Sequence, residues 1–440
     1  MVEERNKQHD SSKGKRSMKQ IKLYRAMIFI YCMLLSGCNT NTEPVVSQNI
    51  SEEIIVSQVS ANQIDSEKLN QTENTVSEIE IPEENVLPDI PEVSLIMVGD
   101  ILLHTPVEES ARQEDGTYNF DAIFANVTEE VQSADLALVN QEVIIGGEEL
   151  GISGYPAFNA PYAIGDALVN AGFDIICHGT NHALDKGKQG LLNCLSFWEE
   201  QYPEIDVLGV HDCAEEQDEV YTIEQNGIRI AILNYTYSTN GIPMPADMPY
   251  AVDMLEEEKV IEDIRKAEEQ ADFTIVCPHW GTEYALDISS MQEKWTDIFL
   301  SNGVDMVLGT HPHVIEPIEW VIDEETGHEM LVYYSLGNFV NWTSSSGEGI
   351  ANRMVGGMAR IILTQDETGK VYIKESGVDA LVCHLEDGIN GVTVYFLSDY
   401  TEELAEKNRI IEQDPAFSFQ YCKELCEKVW DKSFYEYILP

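Results

Sequence analysis

Five short apolar stretches of this chain each lead into residue types that bind metal ions. Residues 273–277 run into Pro278-His279-Trp280-Gly281, and residues 304–308 into Gly309-Thr310-His311-Pro312-His313. Upstream, residues 95–98 end at Gly99-Asp100, residues 136–139 at Asn140-Gln141-Glu142, and residues 175–177 lead to Gly179-Thr180-Asn181-His182. Any one of these placements is more often structural, because Asp and Asn stabilise turns and a lone His packs readily in a core. Five of them together make chance a weak explanation. Carboxylate, amide and imidazole groups suit borderline or hard divalent ions such as Zn, Mn or Fe. The expectation is a metal site assembled from Asp100, Glu142, Asn181, His182, His279, His311 and His313.

These residues are far apart in the chain, so a sheet has to gather them. The apolar runs read as buried strands, and helical patterns lie between them at 162–171, 191–202 and 254–270. Alternating strands and helices predict a layered α/β fold. In open α/β sheets ligands collect beyond the carboxyl ends of the strands, which would put all five segments on one rim. Further strands are expected at 227–235, 330–334, 359–363, 371–374 and 392–396, with the short connections of a second, partly antiparallel sheet. Residues after 401 read as helical to 430, a terminal extension.

At 440 residues the chain has room for one large domain or two. Its formal net charge is −52. Such a surface repels polyanions, so nucleic acid is not an expected partner. An anionic substrate would have to be held by local cations, of which a metal cluster would be the strongest.

The N-terminus does not read as globular. Lys13, Lys15, Arg16, Lys19, Lys22 and Arg25 precede an apolar run at 26–35, then Leu35-Ser36-Gly37-Cys38. The run is short for a membrane span and suits a secretory signal. A small-residue pair directly before Cys resembles a bacterial lipobox. Residues 1–38 are therefore expected to be a lipoprotein signal peptide, cleaved before Cys38 and lipidated on its thiol. The protein would then stand on the extracytoplasmic face of a bacterial membrane. An ordinary signal peptide with a chance Cys is the alternative, and Met18 is a second candidate start beside Met1. Residues 39–92 hold 12 acidic residues, one Lys and no aromatic residue, the composition of a disordered acidic linker. Seven of the nine cysteines lie beyond Cys38, without framework spacing, which argues against a disulfide scaffold.

Residues 93–342 resemble the bacterial capsule-synthesis CapA, or poly-γ-glutamate-synthesis, family, a branch of the calcineurin-like metallophosphatase superfamily. The resemblance rests on ordered motifs: Met97-Val98-Gly99-Asp100, Asn140-Gln141-Glu142, Phe158-Asn159-Ala160-Pro161, Asn181-His182-Ala183-Leu184-Asp185, His279-Trp280-Gly281 with Glu283-Tyr284, His311-Pro312-His313-Val314, and Tyr334-Ser335-Leu336-Gly337-Asn338-Phe339. It implies a four-layer α/β/β/α sandwich with a two-metal centre between strand-end loops. Residues 343–440 would add strands that complete the sheets, then the terminal helices. Carried over by motif, the seven ligand candidates form the metal set, with Glu142 as the bridging carboxylate. Asn-Gln-Glu stands where the family more usually has Asn-Leu-Glu, and Gly-Thr-Asn-His where it has Ala-Asn-Asn-His; both departures spare the ligands. The superfamily uses Asp-x-His in its first motif, whereas here His104 follows Asp100 by four residues. His104 is therefore a ligand, a proton donor or a loop residue.

Around this set, Asp185 would orient His182 by accepting its free ring N–H, or stabilise the loop before Gly187. Glu283 is a candidate acid/base or substrate contact. Asn159 and Asn338 would donate hydrogen bonds to substrate or cap turns. A two-ion centre clamps a substrate oxygen and activates water near neutral pH, so hydrolysis of a phosphoester or a polymer amide is the leading chemistry, with His104 or His313 protonating the leaving group. The rival is a non-catalytic metal-binding factor for export or attachment of an anionic envelope polymer, working with other capsule-synthesis proteins.

Overall fold

The computed structural model describes residues 90–435. The expectations for residues 1–38, lipidation of Cys38 included, lie outside the described residues, as does the 39–92 linker up to residue 89. Glu92 already belongs to a strand.

Strands β1 (Glu92–Ile101), β2 (Leu136–Asn140), β3 (Ile175–Cys177) and β4 (Asp206–Leu208) come first. They are followed by β5 (Thr222–Gln225), β6 (Ile228–Thr236), β7 (Phe273–His279), β8 (Met306–Leu308), β9 (Ile318–Ile322) and β10 (Glu329–Tyr333). The chain then forms β11 (Asn338–Val340), β12 (Val355–Gln365), β13 (Val371–Leu385) and β14 (Val392–Phe396). One sheet has the order β14-β13-β12-β1-β2-β3-β4, with β11 also on β1; the other has the order β5-β6-β7-β8-β10-β9. β1 to β4 run parallel, and so do β6, β7, β8 and β10. Parallel neighbours need crossover connections. Helices α1 (Ala163–Ala171), α2 (Gly187–Gln201), α3 (Glu257–Gln270) and α4 (Ser290–Ser301) lie in four of them.

Side-chain alternation along β6 shows how the layers stack. Ile230 and Ile232 join the apolar core that also holds Leu95 and Met97 of β1. Ala231, Leu233 and Tyr235 cluster instead with Val260 and Ile264 of α3 and Phe299 of α4. In the first sheet β2 is buried along its whole length, as a strand covered on both faces must be; Ile164 and Leu168 of α1 and Trp198 of α2 belong to the same core. The result is a four-layer α/β/β/α sandwich.

Two expectations are corrected. The segments near 359–363, 371–374 and 392–396 do not enter the second sheet. They are β12 to β14, and β12 pairs antiparallel with β1, Leu95 opposite Ile361. Strand patterning reports a half-buried or buried segment but not its partner, and β1 had a free edge that β12 could take. The expected helix after 401 is also broken. It forms Glu402–Lys407, a 3-10 turn Arg409–Glu412, and Phe419–Val429. The Asn408 side chain accepts from the Ile410 N–H and caps the turn, and Pro415 cannot donate within a continuous helix.

Candidate metal centre

The five ligand-bearing segments converge, but from both sheets. β1, β2 and β3 lead to Asp100, Glu142, Asn181 and His182, while β7 and β8 lead to His279, His311 and His313. Glycine precedes Asp100 and lies two residues before His311 because backbones cross there. A Cβ on Gly99 would sit 1.9 Å from the Gly337 carbonyl oxygen, and one on Gly309 would sit 2.1 Å from that of Tyr334. His311 and His313 have φ of 98° and 59°. Such left-handed backbone costs a non-glycine residue about 1–3 kcal/mol and is found mainly where function over-determines it.

Asp100 is fully buried and well held. Asn140 Nδ2 donates to its Oδ1 at 2.9 Å, the His311 backbone N–H lies 3.3 Å from both its oxygens, and His313 Nδ1 lies 3.0 Å from Oδ2. Glu142, equally buried, has no hydrogen-bond partner on either oxygen. Its Oε1 faces His279 Nε2 at 3.7 Å and His182 Nε2 at 3.9 Å, and its Oε2 faces His313 Nδ1 at 3.6 Å. Two groups of ligand atoms, each mutually within 4.8 Å, share this carboxylate: Glu142 with His279 and His311, and Glu142 with Asp100 and His313.

The donor set fits a divalent cation on its own chemistry. A bare carboxylate inside a protein is expensive unless it is paired or coordinates a metal. His279 Nδ1 is 3.1 Å from Thr310 Oγ1, and its Nε2 lies 3.0 Å from Asn181 Oδ1 and 3.2 Å from His311 Nδ1. In the tautomer that donates Nδ1–H to Thr310, Nε2 and Asn181 Oδ1 are facing acceptors, an arrangement that positive charge between them relieves. Protonation is one remedy, and the electrostatics of the site favour it at His313. Burial opposes protonation of His313, yet Glu142 and Asp100 outweigh it and raise its pKa to about 9. Burial likewise favours a neutral Glu142, but His313, His279 and His182 hold its carboxyl well below the usual range. His311 is pushed down, first by burial and then by the neighbouring His279 and His313.

The supporting residues divide by what their hydrogen bonds do. Asp185 Oδ2 lies 2.7 Å from His182 Nδ1 and accepts the Phe158 N–H, so the carboxylate sets the imidazole with Nε2 turned toward Glu142. Asn159 spends its amide on loop backbone, accepting from Gly146 and donating to Gly147 and Gly151. Asn338 donates to the His313 and Arg353 carbonyls, and its Oδ1 lies 3.1 Å from His313 Nδ1. His104 lies outside both ligand groups. Its ring packs edge-on to Phe158, and burial, then His313, lower its pKa to about 4. Glu283 is exposed on the rim, close enough to His313 for its charge to be felt.

Several site residues had no part in the expected ligand set. Asn140 holds Asp100 and has a buried, unpartnered Oδ1; Thr310 sets His279; Tyr237 packs its ring 4.6 Å from that of His311. Asn140 and Thr310 sit at strand ends within a residue or two of a ligand candidate, which is a usable signal. Tyr237 follows β6, which carries no metal-ligand residue type at its end, so nothing marked it. A cavity of about 940 Å³ lies at the opposite, amino-terminal part of β1, lined by Ser94, Glu130, Arg360 and Asp379 among others, and includes none of the ligand residues. Within it, Arg360 pairs with both Glu130 and Asp379.

A sandwich whose strand ends from both sheets surround a buried, shared carboxylate with imidazoles is an α/β protein with a candidate divalent-metal centre. The chain belongs to the bacterial capsule synthesis protein PGA_cap family, whose model matches residues 94–343. It is 32% identical to the PGA biosynthesis protein CapA of Bacillus subtilis (strain 168) over 181 residues, 40% of this chain and 45% of that relative. It is 25% identical to the capsule biosynthesis protein CapA of Bacillus anthracis over 272 residues, 59% of this chain and 62% of that one. The match thus spans less than two thirds of the length of either relative. Among solved structures it is similar to the NAD nucleotidase NadN of Haemophilus influenzae, with a TM-score of 0.42 and 14% identity over 67% of this chain and 58% of that one. It is also similar to a 5'-nucleotidase precursor from Thermus thermophilus, with a TM-score of 0.40 and 15% identity over 66% and 54%.

Proposed function

We propose that the chain is an extracytoplasmic, lipid-anchored hydrolase of capsule or poly-γ-glutamate polymer synthesis, holding two divalent ions (Mn, Fe or Zn) and cleaving a phosphoester or a polymer amide bond. The observation that carries this reading is Glu142, a fully buried carboxylate with one unpartnered oxygen toward His279 and the other toward His313. One carboxylate shared by two ligand groups is the arrangement a pair of ions requires. Bound there, divalent ions supply Lewis acidity toward the scissile group and lower the pKa of the attacking water.

The chain's own residues determine the rest. Asp185 and Thr310 fix the rings of His182 and His279, so each presents Nε2 inward. Phe158 packs against His182 and Tyr237 against His311, which keeps water from the flanks of those rings. His104, beside Phe158 and outside the ligand groups, is the residue assigned to exchange a proton with the leaving atom. Glu283 meets substrate on the rim. The polymer follows from what the two CapA relatives are named for, and the anchor from Leu35-Ser36-Gly37-Cys38.

The test is metal analysis and turnover of the full chain. Close to two ions per chain are expected, with hydrolysis of a generic phosphodiester or of poly-γ-glutamate that is lost with chelator and in His182→Ala. Metal binding without turnover on either substrate class would replace the hydrolase with a non-catalytic factor in polymer export or attachment. Labelling of cells with a fatty-acid probe should mark the wild-type protein and not Cys38→Ala.

A further inference from the structure

Among the described residues, one cation beside the candidate metal centre, Arg353, has no carboxylate within ion-pair distance. Arg353 lies in a 3-10 turn (Ile350–Met354) directly before β12. Its carbonyl accepts from Asn338 Nδ2 at 3.0 Å, and the same amide donates to the His313 carbonyl, so one side chain ties the turn to a ligand segment. Its guanidinium carbon lies 3.5 Å from the centre of the Tyr284 ring, and Nη1 donates to Thr343 Oγ1 at 3.2 Å. The Tyr284 ring in turn is 5.9 Å from that of His313. Tyr284 is itself held in left-handed backbone, φ 65°, by its N–H donating to the Pro312 carbonyl between the two ligand histidines. The tyrosine is 44% exposed, so this platform opens to solvent.

Four of the other five described arginines are ion-paired, and the fifth, Arg112, is exposed and has no such partner among the described residues. Arg229, Arg265, Arg360 and Arg409 each lie within ion-pair distance of a carboxylate. Among the described residues none does so for Arg353, in a chain with 78 acidic residues and 26 basic ones. A guanidinium stacked on an aromatic face leaves its N–H donors in the plane; with one Nη1 donor on Thr343, the others remain to match the oxygens of a carboxylate or phosphate. Its field reaches the centre, contributing to the low pKa of His104.

We infer that Arg353, stacked on Tyr284, forms an anion-binding subsite on the His313 side of the metal centre, taking a carboxylate or phosphate group of the substrate next to the scissile bond. This rests on the hydrolase reading for what is cleaved, but not for what is bound. It makes the substrate a chain carrying an oxyanion close to each linkage, and it makes Arg353 a positioning residue. Glu283, exposed beside Tyr284, adds negative charge next to the subsite.

The full chain, metal-loaded, is titrated calorimetrically with tetra-γ-glutamate, with inorganic phosphate, and with the neutral amide form of the same peptide. Arg353→Gln should weaken the anionic probe at least tenfold, leave the neutral peptide unchanged and keep wild-type metal content; Arg353→Lys should recover part of the loss. Loss confined to the peptide identifies a carboxylate as the ligand, and loss confined to phosphate a phosphoester. Wild-type affinity for both anions in Arg353→Gln, or no anion binding by the wild type, overturns the subsite. Should Arg353→Gln fail to fold, Tyr284→Leu removes the stacking platform and must weaken the same anion; unchanged affinity there overturns it equally. Turnover measured in parallel separates the two readings. Anion binding that depends on Arg353 without hydrolysis removes the hydrolase alone, whereas hydrolysis with unchanged KM in Arg353→Gln removes the subsite alone.

Discussion

The two sheets contribute different chemistry to one centre. The first provides both carboxylates, an amide and one imidazole, from Asp100, Glu142, Asn181 and His182; the second provides three imidazoles, His279, His311 and His313. The first sheet's Asp100 lies within β1 and Glu142 just after β2, while two of the second sheet's candidate ligands are in left-handed backbone around Pro312. Neither half is a site by itself. The first carries negative charge with nothing to balance it, and the second carries neutral donors with little charge to attract an ion. A cation that joins them therefore also fastens the sheets together, so metal binding and sandwich stability should be linked.

The strongest way to break that partnership is through the residue both ligand groups share. Glu142→Gln should abolish stoichiometric metal binding, measured by elemental analysis, and erase the rise in melting temperature that metal gives the wild type. The metal-free variant should melt below metal-free wild type near neutral pH, because His313, His279 and His182 outweigh burial and hold the Glu142 carboxyl below its usual range, and an amide forgoes that stabilisation. Retention of wild-type metal content would refute the shared-carboxylate geometry. Removing one group at a time is the next test. His279→Ala and Asp100→Ala should each lower metal content by about half, and together by all of it; equal and complete loss in both single variants would mean that the two groups fill only as a unit.

A smaller effect is expected from the support of a ligand. Asp185→Asn keeps the size of the side chain but weakens its hold on His182 Nδ1, and metal affinity should fall by about 10–100-fold. Unchanged affinity would reduce Asp185 to its hydrogen bond with the Phe158 N–H.

The smallest effect lies just behind the second-sheet ligands. Glu316 is buried, accepts from Gln292 Nε2 on α4 and leaves Oε1 unpartnered; burial raises its pKa to about 8. A carboxyl raised above its unfolded value of 4.5 destabilises the fold as pH climbs from that value through about 8. Glu316→Gln mimics the protonated form. Its melting temperature should match wild type near pH 5 and exceed it increasingly up to pH 8, and a difference that does not grow with pH would discard this account.

The ligand types were legible because each sits at a local pattern break, an apolar run followed by a polar residue. The same signal could have recovered Asn140 and Thr310, which adjoin ligands. It could not have found Tyr237 or Arg353. Tyr237 follows a strand with no ligand type at its end, and Arg353 lies in a turn that reaches the centre through Asn338 and Tyr284, both distant in sequence. Asn159 had both a substrate role and a turn role open, and its three hydrogen bonds to loop backbone are those of the turn role. The destination of β12 to β14 was not legible either, since alternation marks a strand without marking the edge it will join.

What the sequence determined by itself was local: an α/β alternation, a set of carboxylate, amide and imidazole groups at strand ends, and a charge balance that disfavours polyanions unless a cation holds them. These follow from periodicity and side-chain chemistry within a few residues. Tertiary structure alone decided that the candidate ligands divide between two sheets, that Glu142 faces both groups, and that Arg353 stacks on Tyr284 without a carboxylate partner among the described residues. The physical reason is separation along the chain. Asp100 meets Asn140 across 40 residues and His313 across 213, and only the packing of two sheets against a common core brings such distances down to about 3 Å.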